Sequence, residues 1–155
     1  MSALKDQLRT DLTTSIKARD ALRSSVIRMV LTAITTAEVA GKQARELTDE
    51  DVITVLGAEA KKRRESAEAF AAGNRPELAQ KERDEAVILA DYLPEQMSAE
   101  EIQAIVTAAV ESTGSAGLGM KAMGTVMGIV SPQLKGKADG GVVAAEVKKQ
   151  LGVQP

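Results

Sequence analysis

The 155-residue sequence contains no cysteine, no histidine and no tryptophan. Without cysteine or histidine, the chain has no thiolate nucleophile, no imidazole general base, no disulfide bond and none of the usual ligands of a structural zinc site. The phosphate-binding sequence Gly-x-x-x-x-Gly-Lys-Ser/Thr is also missing. Carboxylates are dispersed over charged segments, so none is marked as a catalytic acid or base. We therefore predict no catalytic residue, no metal site and no cofactor, and hence no autonomous enzyme.

Aromatic residues and long apolar runs are scarce as well. Phe70 and Tyr92 are the only aromatic residues, so the chain lacks the stacking platforms that hold unpaired bases. No stretch approaches the ~18 apolar residues of a membrane span, and the N-terminus has no apolar signal core, which predicts a cytoplasmic protein without membrane contact. The formal net charge of −2 argues against a protein that grips nucleic acid over its whole surface, and DNA is not an expected partner.

Helical periodicity dominates what is present and predicts an all-α fold. Apolar residues at four-residue spacing indicate a first amphipathic helix over residues 2–19. The apolar periodicity changes phase near Asp20, which predicts a turn or a kink before a second helix. Thr48 and Asp51 have the spacing of a capping box that opens a third helix. Pro76 begins a fourth, because proline fits the first turn of a helix.

The helical pattern is interrupted around Pro94, and we place a domain boundary there. Ser98 and Glu101 have the spacing of a second capping box, followed by an apolar helical stripe. Residues 1–94 are therefore predicted to form an N-terminal helical domain of about four helices. Residues 95–155 are predicted to form a small three-helix tail domain.

The most distinctive part of this tail is the segment of residues 119–141. Its methionines recur at helical spacing and are predicted to belong to the core: Met120, Met123 and Met127. Gly124 and Gly128 lie four residues apart, which favours close helix packing. Pro132 is predicted to end this helix, and Asp139 to cap a last helix running toward the C-terminus.

Two basic segments are candidate binding sites. In residues 135–141, Lys135 and Lys137 precede a helix N-terminus, where phosphate is attracted, but Asp139 would occupy the same amides as a cap. Binding and plain turn chemistry therefore both remain open, and Lys121 adds a third candidate phosphate contact. The second segment is a basic ridge on the third helix, formed by Lys61, Lys62, Arg63 and Arg64. A solvated helix face, neutralised locally by pairs such as Glu59 with Arg63, is the competing interpretation.

Four motifs together resemble the YqeY family, over nearly the whole chain. They are Arg45-Glu46-Leu47-Thr48, Lys61-Lys62-Arg63-Arg64-Glu65-Ser66, Tyr92-Leu93-Pro94, and the segment from Met123-Gly124 to Gly141. Members of this family share a tail module, the GatB/YqeY domain, with the B subunit of the tRNA-dependent amidotransferases. The resemblance implies an N-terminal helical domain followed by a three-helix tail.

The resemblance also implies a function for the tail, because the related amidotransferase module reaches tRNA away from the chemistry. The matching positions in this chain are Lys121, Gly124, Lys135, Gly136, Lys137, Asp139 and Gly140. The family is labelled with glutamine-dependent carbon–nitrogen ligase activity, a label inherited from the shared tail, and an accessory module does not transmit its neighbour's active site. The expected protein is an accessory one that binds tRNA, beside an aminoacyl-tRNA or amidotransferase complex. A helical protein-interaction adaptor without RNA contact is the alternative.

Overall fold

The computed structural model describes residues 2–153, which form seven α-helices and one short 3-10 helix without any strand. This confirms the all-α prediction. The helices are α1 (Ala3–Lys17), α2 (Ala21–Glu38), α3 (Asp49–Ala72), α4 (Pro76–Ala90), α5 (Ala99–Thr113), the 3-10 helix (Gly119–Ala122), α6 (Met123–Leu134) and α7 (Gly140–Gln150). Within this described part of the chain, no helix combines the length and apolarity needed to cross a membrane.

Contacts between residues divide the chain into two compact units, the first ending at Leu93 and the second beginning at Pro94. Helices α1 to α4 belong to the first unit, and α5 to α7 with the 3-10 helix belong to the second. That residues 1–94 and 95–155 are separate folding domains remains a prediction.

Polar caps set where the first helices begin. Ser2 caps α1, its hydroxyl accepting a hydrogen bond from the Lys5 N–H at 3.1 Å. Asp20 caps α2 by accepting from the Arg23 N–H at 3.0 Å. Between the two helices Arg19 has a φ of 57°, a left-handed conformation that reverses the chain direction sharply. A short turn therefore separates α1 from α2, at the place where the sequence changes phase.

The capping box predicted at the start of α3 is present and is reinforced by an arginine. The Thr48 hydroxyl accepts from the Asp51 N–H at 3.2 Å, and the Asp51 carboxylate accepts from the Thr48 N–H at 3.0 Å. The Arg45 guanidinium donates to the same carboxylate at 3.0 Å. Mainly through this bond, and then through the Thr48 N–H, the pKa of Asp51 falls to about 2. Leu47, between these residues, is buried.

Tyr92 holds the last turn of the first unit against α1. Its hydroxyl donates to an Asp11 carboxylate oxygen at 2.5 Å, and the Arg23 guanidinium lies over its ring at 5.9 Å from the centroid. Burial, followed by the bond to Asp11, raises the pKa of Tyr92 to about 12. The apolar core beneath consists of Leu8, Val26, Ile27, Val30, Ile34, Leu47, Val52, Leu56, Ala60 and Leu89.

The second unit closes a small core between its three helices. The core residues are Ile102, Val106, Ala109, Val110, Ala122, Val126, Val130, Leu134, Val143, Val147 and Leu151. Met123 and Met127 pack against this core as predicted, but Met120 is 56% exposed. It lies in the 3-10 helix before α6, so the helical spacing of the three methionines does not extend to it.

Proline does not end α6 where the sequence predicts. Pro132 lies inside the helix, which continues to Leu134. Pro132 has no N–H to donate to the carbonyl of Gly128, four residues earlier, and the helix continues for only two residues beyond it.

Candidate nucleic-acid interface

The three candidate phosphate-binding lysines of the second unit are all exposed. Lys121 lies in the 3-10 helix, Lys135 is the residue that follows α6, and Lys137 lies in the turn before α7. Among residues 2–153, none of the three forms a salt bridge with a carboxylate, so their ammonium groups are available to an external anion.

These lysines lie at opposite ends of α6. Lys137 is held at the start of α5, since its carbonyl accepts from the Met97 N–H at 2.9 Å. The 3-10 helix that carries Lys121 is instead held at the end of α7, where the Gly119 N–H donates to the Leu151 carbonyl at 3.2 Å. The 12 residues of α6 span about 18 Å. The seven residues implied by the family resemblance therefore do not form one contiguous patch.

We name the two ends of the second unit the Lys135 end and the Lys148 end. The Lys135 end comprises the start of α5, the turn of residues 135–139 and the start of α7. The Lys148 end comprises the loop of residues 114–118, the 3-10 helix and the last turn of α7, which contains Lys148 and Lys149. Sequence reasoning missed these two lysines, because their proximity to Lys121 depends on α6 and α7 running antiparallel.

The remaining signature residues of the Lys135 end shape the turn. Gly136 has a φ of 76°, a conformation that side chains with a Cβ rarely adopt. Asp139 caps α7, accepting from the Gly141 N–H at 2.7 Å, and Gly140 is the first residue of that helix. The predicted cap is confirmed, and it places a carboxylate where a phosphate would otherwise approach the helix amides.

Gly124 and Gly128 do not mediate helix packing. Both are exposed, and a Cβ added at either position would meet no other atom within 4 Å. The prediction of close packing through these glycines is therefore wrong, since buried α6 residues such as Val126 and Val130 lie on the opposite face. No charged residue occurs from Ala122 to Leu134, so the outer face of α6 is uncharged as well as open.

A shallow groove of about 400 Å³ runs between α5 and α6. Its lining has no charged side chain and consists of five apolar and two polar residues: Ala104, Ile105, Ala108, Ala109, Ser112, Ile129 and Gln133. The groove is therefore uncharged and open to solvent along part of its length.

The predicted basic ridge on α3 is broken at its centre. Lys61, Lys62 and Arg64 are exposed, but Arg63 is only 5% exposed. Its guanidinium donates to the carboxylate of Glu59 and, at 3.3 Å, to Glu85 of α4. Glu59 and Arg63 do pair, as expected, but they do so in a buried cluster that joins α3 to α4 and not on a solvated surface. Arg63 therefore cannot contribute to a phosphate-binding ridge.

Lys62 stands at the solvent edge of the cluster. Its ammonium donates to Glu59 at 3.2 Å while its side chain is 68% exposed. The cluster does not resemble a metal site, and residues 2–153 contain no group of three or more acidic residues placed to hold a metal ion.

Two comparisons relate the chain to known proteins. The model of a family described as Yqey-like protein matches residues 5–151. A protein of the fission yeast Schizosaccharomyces pombe, described as Uncharacterized protein C22F3.15, is 34% identical over 96 residues. That alignment covers 61% of this chain and 76% of the yeast protein. The yeast description includes no activity, so this similarity bears on family alone.

Proposed function

Since the chain belongs to the Yqey-like protein family, we propose that it is an accessory, non-catalytic protein that contacts folded tRNA through its second unit. The observation that carries the proposal is the state of the lysines in that unit. Lys121, Lys135, Lys137, Lys148 and Lys149 are exposed, and none of them has a salt-bridge partner among residues 2–153. Because no carboxylate of the described residues pairs with these lysines, their charges are suited to binding the phosphate groups of a nucleic acid.

The composition supports recognition by shape and phosphate contact. The second unit has no arginine and no aromatic residue, so it offers neither the bidentate guanidinium nor the stacking surface of base-reading proteins. Lysine ammonium groups instead act as mobile point charges that contact successive phosphates of an RNA backbone. Each phosphate contact contributes about 0.7 to 0.9 to the dependence of log K on log salt, so we expect modest, strongly salt-dependent affinity.

A binding titration with folded tRNA tests the proposal. Wild-type protein is titrated into labelled tRNA from 50 to about 200 mM salt, the range over which phosphate contacts are lost. The variant Lys121→Ala/Lys135→Ala/Lys137→Ala should bind more weakly and with a shallower salt slope. Absence of tRNA binding by the wild type at the lowest salt contradicts the proposed function.

We further propose that the partner complex handles aminoacyl-tRNA or its amidation, and that the chemistry belongs to the other subunits. Purified protein supplied with glutamine, ATP and glutamyl-tRNA should therefore form no glutaminyl-tRNA. Conversion by the protein alone contradicts the accessory role. Addition of an amidotransferase, with product measured with and without this protein, tests the association.

The groove between α5 and α6 favours a second candidate, a protein-interaction adaptor. Its uncharged lining would accept a helix of a partner protein. The exposed Ala108 allows a test, because Ala108→Glu places a charge in the groove without burying it. A partner crosslinked after nuclease treatment should be lost in this variant and kept in the control Thr125→Glu, which alters exposed α6 surface outside the groove lining. Equal recovery from both variants contradicts the adaptor role of the groove.

A further inference from the structure

The Lys148 end combines exposed cations with exposed apolar side chains. Leu118 is 44% exposed and Met120 is 56% exposed; Leu118 is the last residue before the 3-10 helix and Met120 lies within it. Lys121 follows Met120 directly in the chain. The hydrogen bond from the Gly119 N–H to the Leu151 carbonyl, 3.2 Å long, holds this segment against the end of α7. This bond brings the segment that carries Leu118, Met120 and Lys121 to the end of α7, whose last turn contains Lys148 and Lys149.

The charge balance differs between the two ends of the second unit. At the Lys135 end, two lysines are accompanied by four acidic residues: Glu95 in the segment before α5, Glu100 and Glu101 in its first turn, and Asp139 at the start of α7. At the Lys148 end, three lysines are accompanied by two acidic residues, Glu111 in the last turn of α5 and Glu146. The formal charge of these residues is therefore +1 at the Lys148 end and −2 at the Lys135 end, a balance that favours the approach of a polyanion to the Lys148 end.

The helix dipole accounts for part of this arrangement. Lysines in the last turn of α7 interact favourably with the carbonyl end of that helix. The dipole gives no reason for the exposure of Leu118 and Met120 on the same surface. A large apolar side chain beside free cations suits a ligand that offers both phosphate and an apolar face. Folded RNA offers both where a loop or bend leaves a base unstacked.

We propose that RNA binds this protein at the Lys148 end, with Lys121, Lys148 and Lys149 contacting phosphates and Leu118 and Met120 packed on an exposed base. The inference rests on the proposed function and makes it more specific in two respects. It moves the interface away from Lys135 and Lys137, whose turn is accounted for by a cap and a left-handed glycine. It also names the ligand class as folded RNA with an unstacked base, held by aliphatic packing in place of the aromatic stacking that this unit lacks, and not a continuous duplex.

Two matched double variants test the location. Lys148→Ala/Lys149→Ala and Lys135→Ala/Lys137→Ala each remove two positive charges, from opposite ends of the unit. In anisotropy titrations with labelled folded tRNA, the first should bind about tenfold more weakly, with a salt slope reduced by about 1.4 to 1.8. The second should bind within about twofold of the wild type. The reverse order overturns the inference while leaving tRNA binding intact, whereas no binding by the wild type overturns the proposed function itself.

Lysine footprinting on the wild-type protein gives the same information independently of any effect of substitution on folding. Acetylation followed by mass spectrometry should show that tRNA protects Lys121, Lys148 and Lys149, while Lys135 and Lys137 react equally with and without RNA. Protection confined to Lys135 and Lys137 overturns the assignment.

A test of the apolar contact requires a variant that leaves the charge of the protein unchanged. Leu118→Ser/Met120→Ser should weaken tRNA binding at an unchanged salt slope, because no phosphate contact is lost. The same variant should bind a blunt RNA duplex as well as the wild type does, since a duplex presents no unstacked base along its length. Equal loss on both RNAs overturns the base contact. Binding of anionic phospholipid vesicles that is lost in Lys148→Ala/Lys149→Ala, with tRNA binding unchanged, overturns the RNA assignment in favour of a lipid surface.

Discussion

Replacement of Arg63 by methionine tests the buried ion cluster of the first unit. The Arg63 side chain is 6% exposed, and those of Glu59 and Glu85 are 11% and 9% exposed. Methionine keeps most of the aliphatic volume but leaves two carboxylates buried without their shared cation. Removal of one partner from a buried pair costs about 3–5 kcal/mol, a large part of the roughly 5–15 kcal/mol that stabilises a domain. Urea unfolding followed by circular dichroism at 222 nm measures the loss.

Lys62→Ala is the matched control, because it removes the same charge one residue away on α3. Its ammonium also pairs with Glu59, but the side chain is 68% exposed, so the expected cost is below about 1 kcal/mol. The variant Glu59→Gln/Arg63→Met/Glu85→Gln, which removes all three charges, should recover most of the loss. A cost for Arg63→Met no greater than that for Lys62→Ala would refute the reasoning that burial decides the strength of this cluster.

Three further predictions concern single groups. Gly128→Ala should raise the stability of the second unit by about 0.5–1 kcal/mol, since alanine is the better helix former and its Cβ meets open space; a lower melting temperature would contradict the open face. Tyr92, the only tyrosine, should ionise in the folded protein near its pKa of about 12 and not near the ordinary value of 10. The stabilisation linked to it is complete below pH 10 and is lost as pH rises from 10 to 12; a midpoint near 10 in the absorbance at 295 nm, in protein still folded by circular dichroism, would contradict its burial against Asp11. Asp51, whose pKa is lowered to about 2, stabilises the fold above its ordinary value of 3.8, and this effect is lost as pH falls from 3.8 toward 2. An NMR titration of its carboxyl carbon checks the value, and a midpoint near 4 would count against the bond from Arg45.

Local signals in the sequence predicted most helix boundaries, because a cap acts within one turn of the chain. Thr48 with Asp51 and Asp139 at the start of α7 were recognisable without tertiary structure, since each side chain bonds to a backbone N–H two or three residues away. Pro132 was misjudged for a local reason as well. Proline restricts the residue before it and removes one backbone donor, which favours a helix end nearby but does not fix it at Pro132 itself, and α6 ends two residues later.

Burial was harder to predict wherever a charge or a small residue was involved. Arg63 lies in a basic run that is typical of a solvated face, and only the packing of α4 supplies Glu85 from 22 residues away. Gly124 and Gly128 have the spacing of a packing motif, yet the core of the second unit forms on the other side of α6. Spacing shows which residues share a face, but it does not show which face meets a neighbour.

The sequence by itself determined the all-α class, the caps that begin the helices and the family, because each follows from short-range patterns along the chain. The tertiary structure alone decided which lysines are neighbours. Lys121 and Lys135 lie 14 positions apart but at opposite ends of α6, whereas the antiparallel return of α7 brings Lys148 and Lys149 to the end that carries Lys121. Electrostatic attraction acts over distance in space and not over distance in sequence, so the candidate interface is a property of how the helices pack.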